Sequence, residues 1–217
     1  MLTSMGDLMR EAHRRGWITT RDGNVSVRRK DSFYITPSGG RKSIIHPEHI
    51  IKMKVSKDGR LYRKDANTLS QPSGELEMHR LLQTTECFKG CRSVVHLHPT
   101  YTIAALHRGF NLQDLAAEFP EVSRYTRVGR NVRVLPVTSD ILAKETFAAM
   151  TEKNMEMIYT GHGNHEEQFT DMIAYDIVGQ AGHGVAAVGK SPWDAFEHIE
   201  RLEHICQIVL ASGVSPK

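Results

Sequence analysis

The sequence predicts an α/β fold in which a mixed sheet is covered by helices. Amphipathic helical segments alternate along the chain with short β-like runs joined by turns. Hydrophobic residues make up 40% and charged residues 24% of the 217 positions, the balance of an ordinary globular domain. A chain of this length buries roughly 70% of its unfolded surface, enough for one sizeable core. No internal repeat and no Pro/Gly/Ser linker interrupts the pattern, so residues 1–217 read as a single domain.

The elements follow in order. Leu2, Met5, Leu8, Met9 and Ala12 recur at helical spacing, and Gly16 is a natural stop. Asn24 to Arg29 and Ser32 to Thr36 alternate in the manner of strands and meet at Lys30-Asp31 as a hairpin. Ile50 to Val55 and Leu61 to Arg63 flank a second turn at Asp58-Gly59. Gly74 to Gln83 is helical, and Ser93 to His98 is a buried strand. Thr100 is the expected N-cap of the next helix, which stops at Gly109. Asn131 to Val137 is expected as a strand, and Ser139-Asp140 opens a helix reaching about Met150. Ser191-Pro192-Trp193-Asp194 combines an N-cap, a proline at the first helical position and an acid in the first turn; a stripe from Phe196 to Val209 follows.

Composition also excludes functions. The 28 Lys+Arg against 25 Asp+Glu leave only +3, so the Arg124-Tyr125-Thr126-Arg127 and Arg130 cluster does not indicate a nucleic-acid binder. No run approaches the roughly 20 apolar residues of a membrane span, and the first fifteen residues lack a secretory apolar core; a cytoplasmic location is expected. Cys87, Cys91 and Cys206 fit neither a zinc knuckle nor a redox pair and are expected as free thiols.

The chemistry concentrates at His96-Leu97-His98-Pro99. On a strand, residues two apart share a face, so His96 and His98 project together while Val95 and Leu97 point the other way. Such a pair can clamp a metal through neutral imidazoles, or simply be solvated or hydrogen-bonded. Gly182-His183-Gly184 sets a third histidine between glycines at the edge of the apolar run Val185 to Val188. Glu75 offers a carboxylate at a helix start, where it also suits the helix dipole. His79 lies one turn further on and reads as a supporting residue. His162 and His165 read as a polar loop, His198 and His204 as packed or solvated helix residues. Gly23-Asn24-Val25-Ser26, Thr36-Pro37-Ser38-Gly39 and Ser73-Gly74 are turns rich in glycine and hydroxyls that can cradle a phosphate or close a loop. Arg41-Lys42 reads as a solvated pair that could assist an anion.

Taken in order, these segments, with Gly189 and Leu202-Glu203-His204, resemble the class II aldolase/adducin-head family along about residues 5 to 210. The resemblance implies a three-layer αβα domain with a central, mostly antiparallel sheet, assembled as a homotetramer with active sites at subunit interfaces. It implies a divalent ion, Zn2+ with Mn2+, Co2+ or Fe2+ as alternatives, on His96, His98 and His183. Glu75 would ligate the resting metal and act as acid/base. Gly23, Asn24, Ser38, Gly39, Ser73 and Gly74 would hold the phosphate of a small anionic substrate. Three features depart from the sugar-phosphate aldolases: Ser73-Gly74 stands where they have two serines, no tyrosine follows Tyr175 to supply their tail proton donor, and the segment from Asn154 to Asp171 is longer than expected and rich in His and Glu. The expected activity is that of a lyase working through an enediolate on the metal. Reversible aldol cleavage of a small ketose phosphate or related keto compound leads; epimerisation, dehydration and decarboxylation share the same intermediate. Glu118, Glu121, Tyr125 and Arg127 are candidates for a further acid/base across the interface. A catalytically silent, adducin-like binding module is the rival.

Overall fold

The computed structural model describes residues 1–63, 70–87, 90–161 and 164–216. Its first part contains α1 (Leu2–Arg14), β1 (Asn24–Arg29), β2 (Ser32–Ile35), β3 (Ile51–Val55), β4 (Leu61–Tyr62) and α2 (Leu76–Thr84). β5 (Glu86–Cys87), β6 (Ser93–Leu97), α3 (Thr100–His107), α4 (Leu112–Ala117) and α5 (Pro120–Ser123) follow. The remainder is α6 (Asp140–Met150), β7 (Thr151–Gly161), β8 (Asn164–Ile173), β9 (Ile177–Gln180), β10 (Gly184–Gly189) and α7 (Pro192–Ala211).

Seven strands form the central sheet in the order β4-β3-β2-β1-β6-β10-β9. Every neighbouring pair in it is antiparallel, so the sheet is not mixed. The only parallel strand pairing among the described residues is β5 with β8, in a small second sheet. The pleat divides the core as alternation requires. Val25, Val27, Val95, Leu97, Val185 and Ala187 face a layer containing Leu8 and Met9 of α1 and Phe196, Leu202 and Cys206 of α7. Val94, Ala186 and Val188 face Met78 and Leu82 of α2 and Leu142 and Met150 of α6. The result is an α/β fold with an antiparallel sheet between helices.

α7 begins as its sequence indicates: Ser191 Oγ accepts from Asp194 N, and the Asp194 carboxylate accepts from Ser191 N, a reciprocal capping box. Thr100, by contrast, is the first residue of α3 and not its cap. The capping group is instead Glu203 of α7, a buried carboxylate accepting from Tyr101 N at 2.9 Å, Thr102 N at 2.7 Å and Thr102 Oγ1 at 2.8 Å. Because only Pro99 separates α3 from His98, this long-range cap anchors the end of the His-Leu-His segment. Glu203→Ala is expected to lower stability by about 3 kcal/mol, leaving two helix N–H groups unpaired in the interior. At this chain length that corresponds to a thermal midpoint roughly 6–12 °C lower, and a melt within about 1 °C of wild type would refute the role.

Other expectations change. Asn131 to Val137 forms no strand; Val132 makes one isolated parallel bridge to Gln180, and the run ends at Pro136 and at Thr138, whose φ of 59 lies in the left-handed region. Cys87 and Cys91 are joined in a disulfide, Cα–Cα 5.5 Å, where a turn brings Gly90 N to Cys87 O at 2.9 Å; only Cys206 is a free, buried thiol. The long segment from Asn154 to Asp171 belongs to the antiparallel pair β7 and β8. His165 sits on β8; His162 lies outside the described residues. No helix among the described residues is long and apolar enough to cross a membrane.

Candidate metal centre

Three adjacent strands converge at one end of the sheet. Register pairs Asn24 of β1 and Ala186 of β10 with His96 of β6, and Val185 with Leu97. His96 and His98 therefore project beside His183, which immediately precedes β10. The three imidazoles each offer a ligand nitrogen, all within 4.8 Å of one another. Backbone crowding makes this approach possible: a Cβ on Gly184 would lie 2.4 Å from Leu97 O and 2.7 Å from the His98 ring. Gly23, at φ +68, turns the chain into β1 where a Cβ would lie 2.7 Å from Ile18.

Glu75, at the start of α2, closes the fourth side. Its Oε1 is 2.9 Å from His183 Nε2 and its Oε2 3.3 Å from His96 Nε2. Burial works against ionisation of this carboxyl, but His96 and the hydrogen bonds from His183 and Asn24 outweigh it and hold the group below the usual carboxylate range. Burial lowers His96, and burial with His96 and His183 nearby takes His98 down to about 3. The cluster thus sets one carboxylate beside His96 and His98, both of which burial disposes toward the neutral form. His96 Nδ1–H donates to Val185 O at 2.9 Å, which turns its Nε2 lone pair inward. The donor set fits a divalent ion: three imidazole nitrogens and a carboxylate are the ligand types of a zinc site.

A chain of hydrogen bonds supports Glu75 from below. Gln83 Nε2 donates to Ser26 Oγ, whose hydroxyl reaches His79 Nδ1 at 2.6 Å. His79 Nε2–H in turn donates to Asn24 Oδ1, and Asn24 Nδ2 donates to Glu75 Oε2 at 2.7 Å. His79 is fully buried, and burial pushes it down to about 3, which keeps it in the neutral form this chain requires. Gln83 is the residue that sequence reasoning missed, and Ser26, read there as part of a phosphate-cradling turn, is instead a link in the chain to Glu75. Their signal was faint but present: 24 and 26 share a face of β1, while 75, 79 and 83 repeat at four-residue spacing. Both ends of the Asn24 amide are engaged here, so its side chain positions Glu75 in this structure.

Of the other phosphate-cradle candidates, Ser38 and Gly39 are exposed in a loop tied to the Ser73 segment by Ser38 N→Gln71 O at 2.8 Å and Ser73 N→Thr36 O at 3.2 Å. Ser73 Oγ accepts from Glu75 N at 3.3 Å, and Gly74 lies against Thr138. These loops adjoin Glu75 through the chain itself. Lys42 is not solvated but 1% exposed. Its Nζ donates to Gly40 O at 3.0 Å, Arg21 O at 3.3 Å and Pro37 O at 3.4 Å, uniting the loop before Gly23 with the one carrying Ser38 and Gly39. Glu121 and Tyr125 line a surface cavity with Arg201 and His204 beside α7, and Arg127 stacks on Tyr175 and pairs with Glu152. Glu118, at the end of α4, lines another cavity with Phe110 and Val214. Within one chain these four lie outside the histidine cluster. His198 is packed, with Nδ1 2.8 Å from Thr126 Oγ1.

Fold and cluster together define a class: residues 3–210 match the model of the class II aldolase and adducin N-terminal domain, and the chain belongs to that family. Among its relatives, the methylthioribulose-1-phosphate dehydratase of Botryotinia fuckeliana is 40% identical over 211 residues, spanning 90% of this chain and 78% of that protein. A Nocardia farcinica relative, named "Probable bifunctional methylthioribose-1-phosphate isomerase/methylthioribulose-1-phosphate dehydratase", is 25% identical over 214 residues. The match spans 94% of this chain but only 34% of that longer protein. The sugar-phosphate aldolase of Thermotoga maritima shares the fold with a TM-score of 0.72 at 18% identity, covering 99% of this chain and 97% of that one.

Proposed function

We propose that the chain is a divalent-metal-dependent lyase that dehydrates a ketose 1-phosphate of the methylthioribulose type. The observation that carries it is Glu75, an ionised carboxylate fixed by Asn24 and seated against three convergent histidines. The dehydratase relative at 40% identity favours loss of water over the aldol cleavage expected first from sequence. Zn2+ on His96, His98 and His183 would act as a Lewis acid toward the substrate carbonyl. Glu75 takes the proton from the carbon beside that carbonyl, and the freed electron pair forms an enediolate. The hydroxyl on the next carbon then departs with a proton as water, and tautomerisation leaves a 2,3-diketone. The Asn24–His79–Ser26 chain holds the carboxylate oxygen in place during the transfer.

The test is direct: metal-loaded protein is given methylthioribulose 1-phosphate and, separately, fuculose 1-phosphate. Diketone from the first supports the reading. Aldehyde release from the second with no diketone from the first restores aldol cleavage, and no turnover of either by metal-loaded protein favours the silent module. The homotetramer with shared sites stays part of the proposal, and a monomer by light scattering would remove it. Lys42→Met keeps the length of the side chain but loses its three donors. It is expected to raise KM for the phosphorylated substrate about tenfold with kcat within about threefold, because it loosens both loops while sparing Glu75. An unchanged KM would detach Lys42 from substrate binding.

A further inference from the structure

The three strands that build the metal centre carry a second feature at their opposite ends. β1 ends in Arg28-Arg29 and turns through Lys30, β6 is entered from Arg92, and β10 runs out into Lys190. Arg28 N donates to Arg92 O and Arg92 N to Gly189 O, each at 2.8 Å, so these cations form a row across three neighbouring strands. With strands about 4.8 Å apart, the row spans roughly 10 Å. All five line one cavity of about 1190 Å3. Two acids share its wall, Asp31 and Glu86, and Asp31 is occupied by Lys54 at 2.6 Å. Arg28 is anchored to Gln83 O at 2.6 Å and to Lys30 O at 3.2 Å, which presets its guanidinium at the cavity wall. Like charges gathered on a concave surface repel one another and focus a positive potential, both relieved by a bound anion.

We infer that this cavity binds a small ligand carrying two or more phosphate groups, at a site separate from the metal centre. The volume exceeds what a pentose phosphate fills. Several cations at strand spacing suit a chain of phosphates better than a single one, and the overall charge of +3 does not suit a nucleic-acid strand.

The test is calorimetric titration of the full chain with tripolyphosphate, with orthophosphate as comparator. One site per chain is expected, equally tight in wild type and in His96→Ala, and at least about tenfold weaker for orthophosphate. Arg92→Ala/Lys190→Ala and, independently, Arg29→Ala/Lys30→Ala are each expected to weaken tripolyphosphate binding about tenfold or more. These side chains are exposed, and unchanged melting of the unliganded variants confirms that they fold. No binding, binding as tight as wild type in both double variants, or loss in His96→Ala overturns the inference. So does a fall in oligomeric mass in either double variant, which would make the cations a contact between copies. Affinity that rises with the length of an oligonucleotide would assign the cavity to nucleic acid instead.

Discussion

Glu75→Gln is expected to lower kcat by roughly 10^3-fold, within the range that a positioned general base contributes. The substitution keeps the size of the side chain and can keep the contact to Asn24 by turning its amide. It removes the one carboxylate in the cluster, and a neutral amide cannot take a proton from carbon. Its partners favour the ionised form despite burial, so near neutral pH the natural group carries no proton and has a lone pair free to take one. The three histidines remain, so metal content is expected to fall far less than kcat. Measured kcat within about threefold of wild type, with metal bound, would remove Glu75 from the chemistry.

His96→Ala carries the second large effect. Among the three clustered histidines His96 is the most constrained: it is 1% exposed, held by Val185 O, and in contact with both His98 and Glu75. Replacing even a hydrogen-bond partner of a metal ligand costs about 10–100-fold in affinity, and loss of a ligand itself costs more. Protein purified without a histidine tag is therefore expected to hold about one equivalent of divalent metal as wild type and less than about a tenth as His96→Ala, with activity lost in parallel. Chelation of wild type should abolish turnover and re-addition of Zn2+, Mn2+, Co2+ or Fe2+ should restore it, the most effective ion identifying the native metal. Full activity in metal-free wild type would sink the metal-dependent reading.

How much of this could be read beforehand varied with the physics of each part. The convergence of His96 and His98 was legible because a strand imposes period two, and 96 and 98 must then share a face whatever the rest of the fold does. The termini of α6 and α7 were legible because Ser139 and Ser191 cap locally. Glu203 as the cap of α3 was not, since its partners lie 101 and 102 positions away and only the packed fold joins them. Lys42 was misjudged for the same reason. A lysine in a polar turn is ordinarily solvated, and three carbonyls from two loops are needed to make its burial tolerable. The β7–β8 hairpin was hidden by composition: Glu, His and Asn carry weak strand preference, and cross-strand pairing overrides it. Asn131 to Val137 erred in the other direction, where an alternating run found only one bridge because Pro136 cannot donate.

The spacing of the metal-centre residues along the chain has a thermodynamic corollary. His183 and Glu75 meet across 108 positions, and His96 is oriented by a carbonyl 89 positions away. An unfolded chain holds these groups far apart, so an ion that needs all of them recognises the folded state alone. Binding energy is then folding energy, and stability rises with the logarithm of free metal: at a hundredfold excess over Kd it gains about 2.7 kcal/mol. The same ion that activates the carbonyl would thus set how often the sheet opens, and the protein's resistance to proteolysis would follow the metal supply around it.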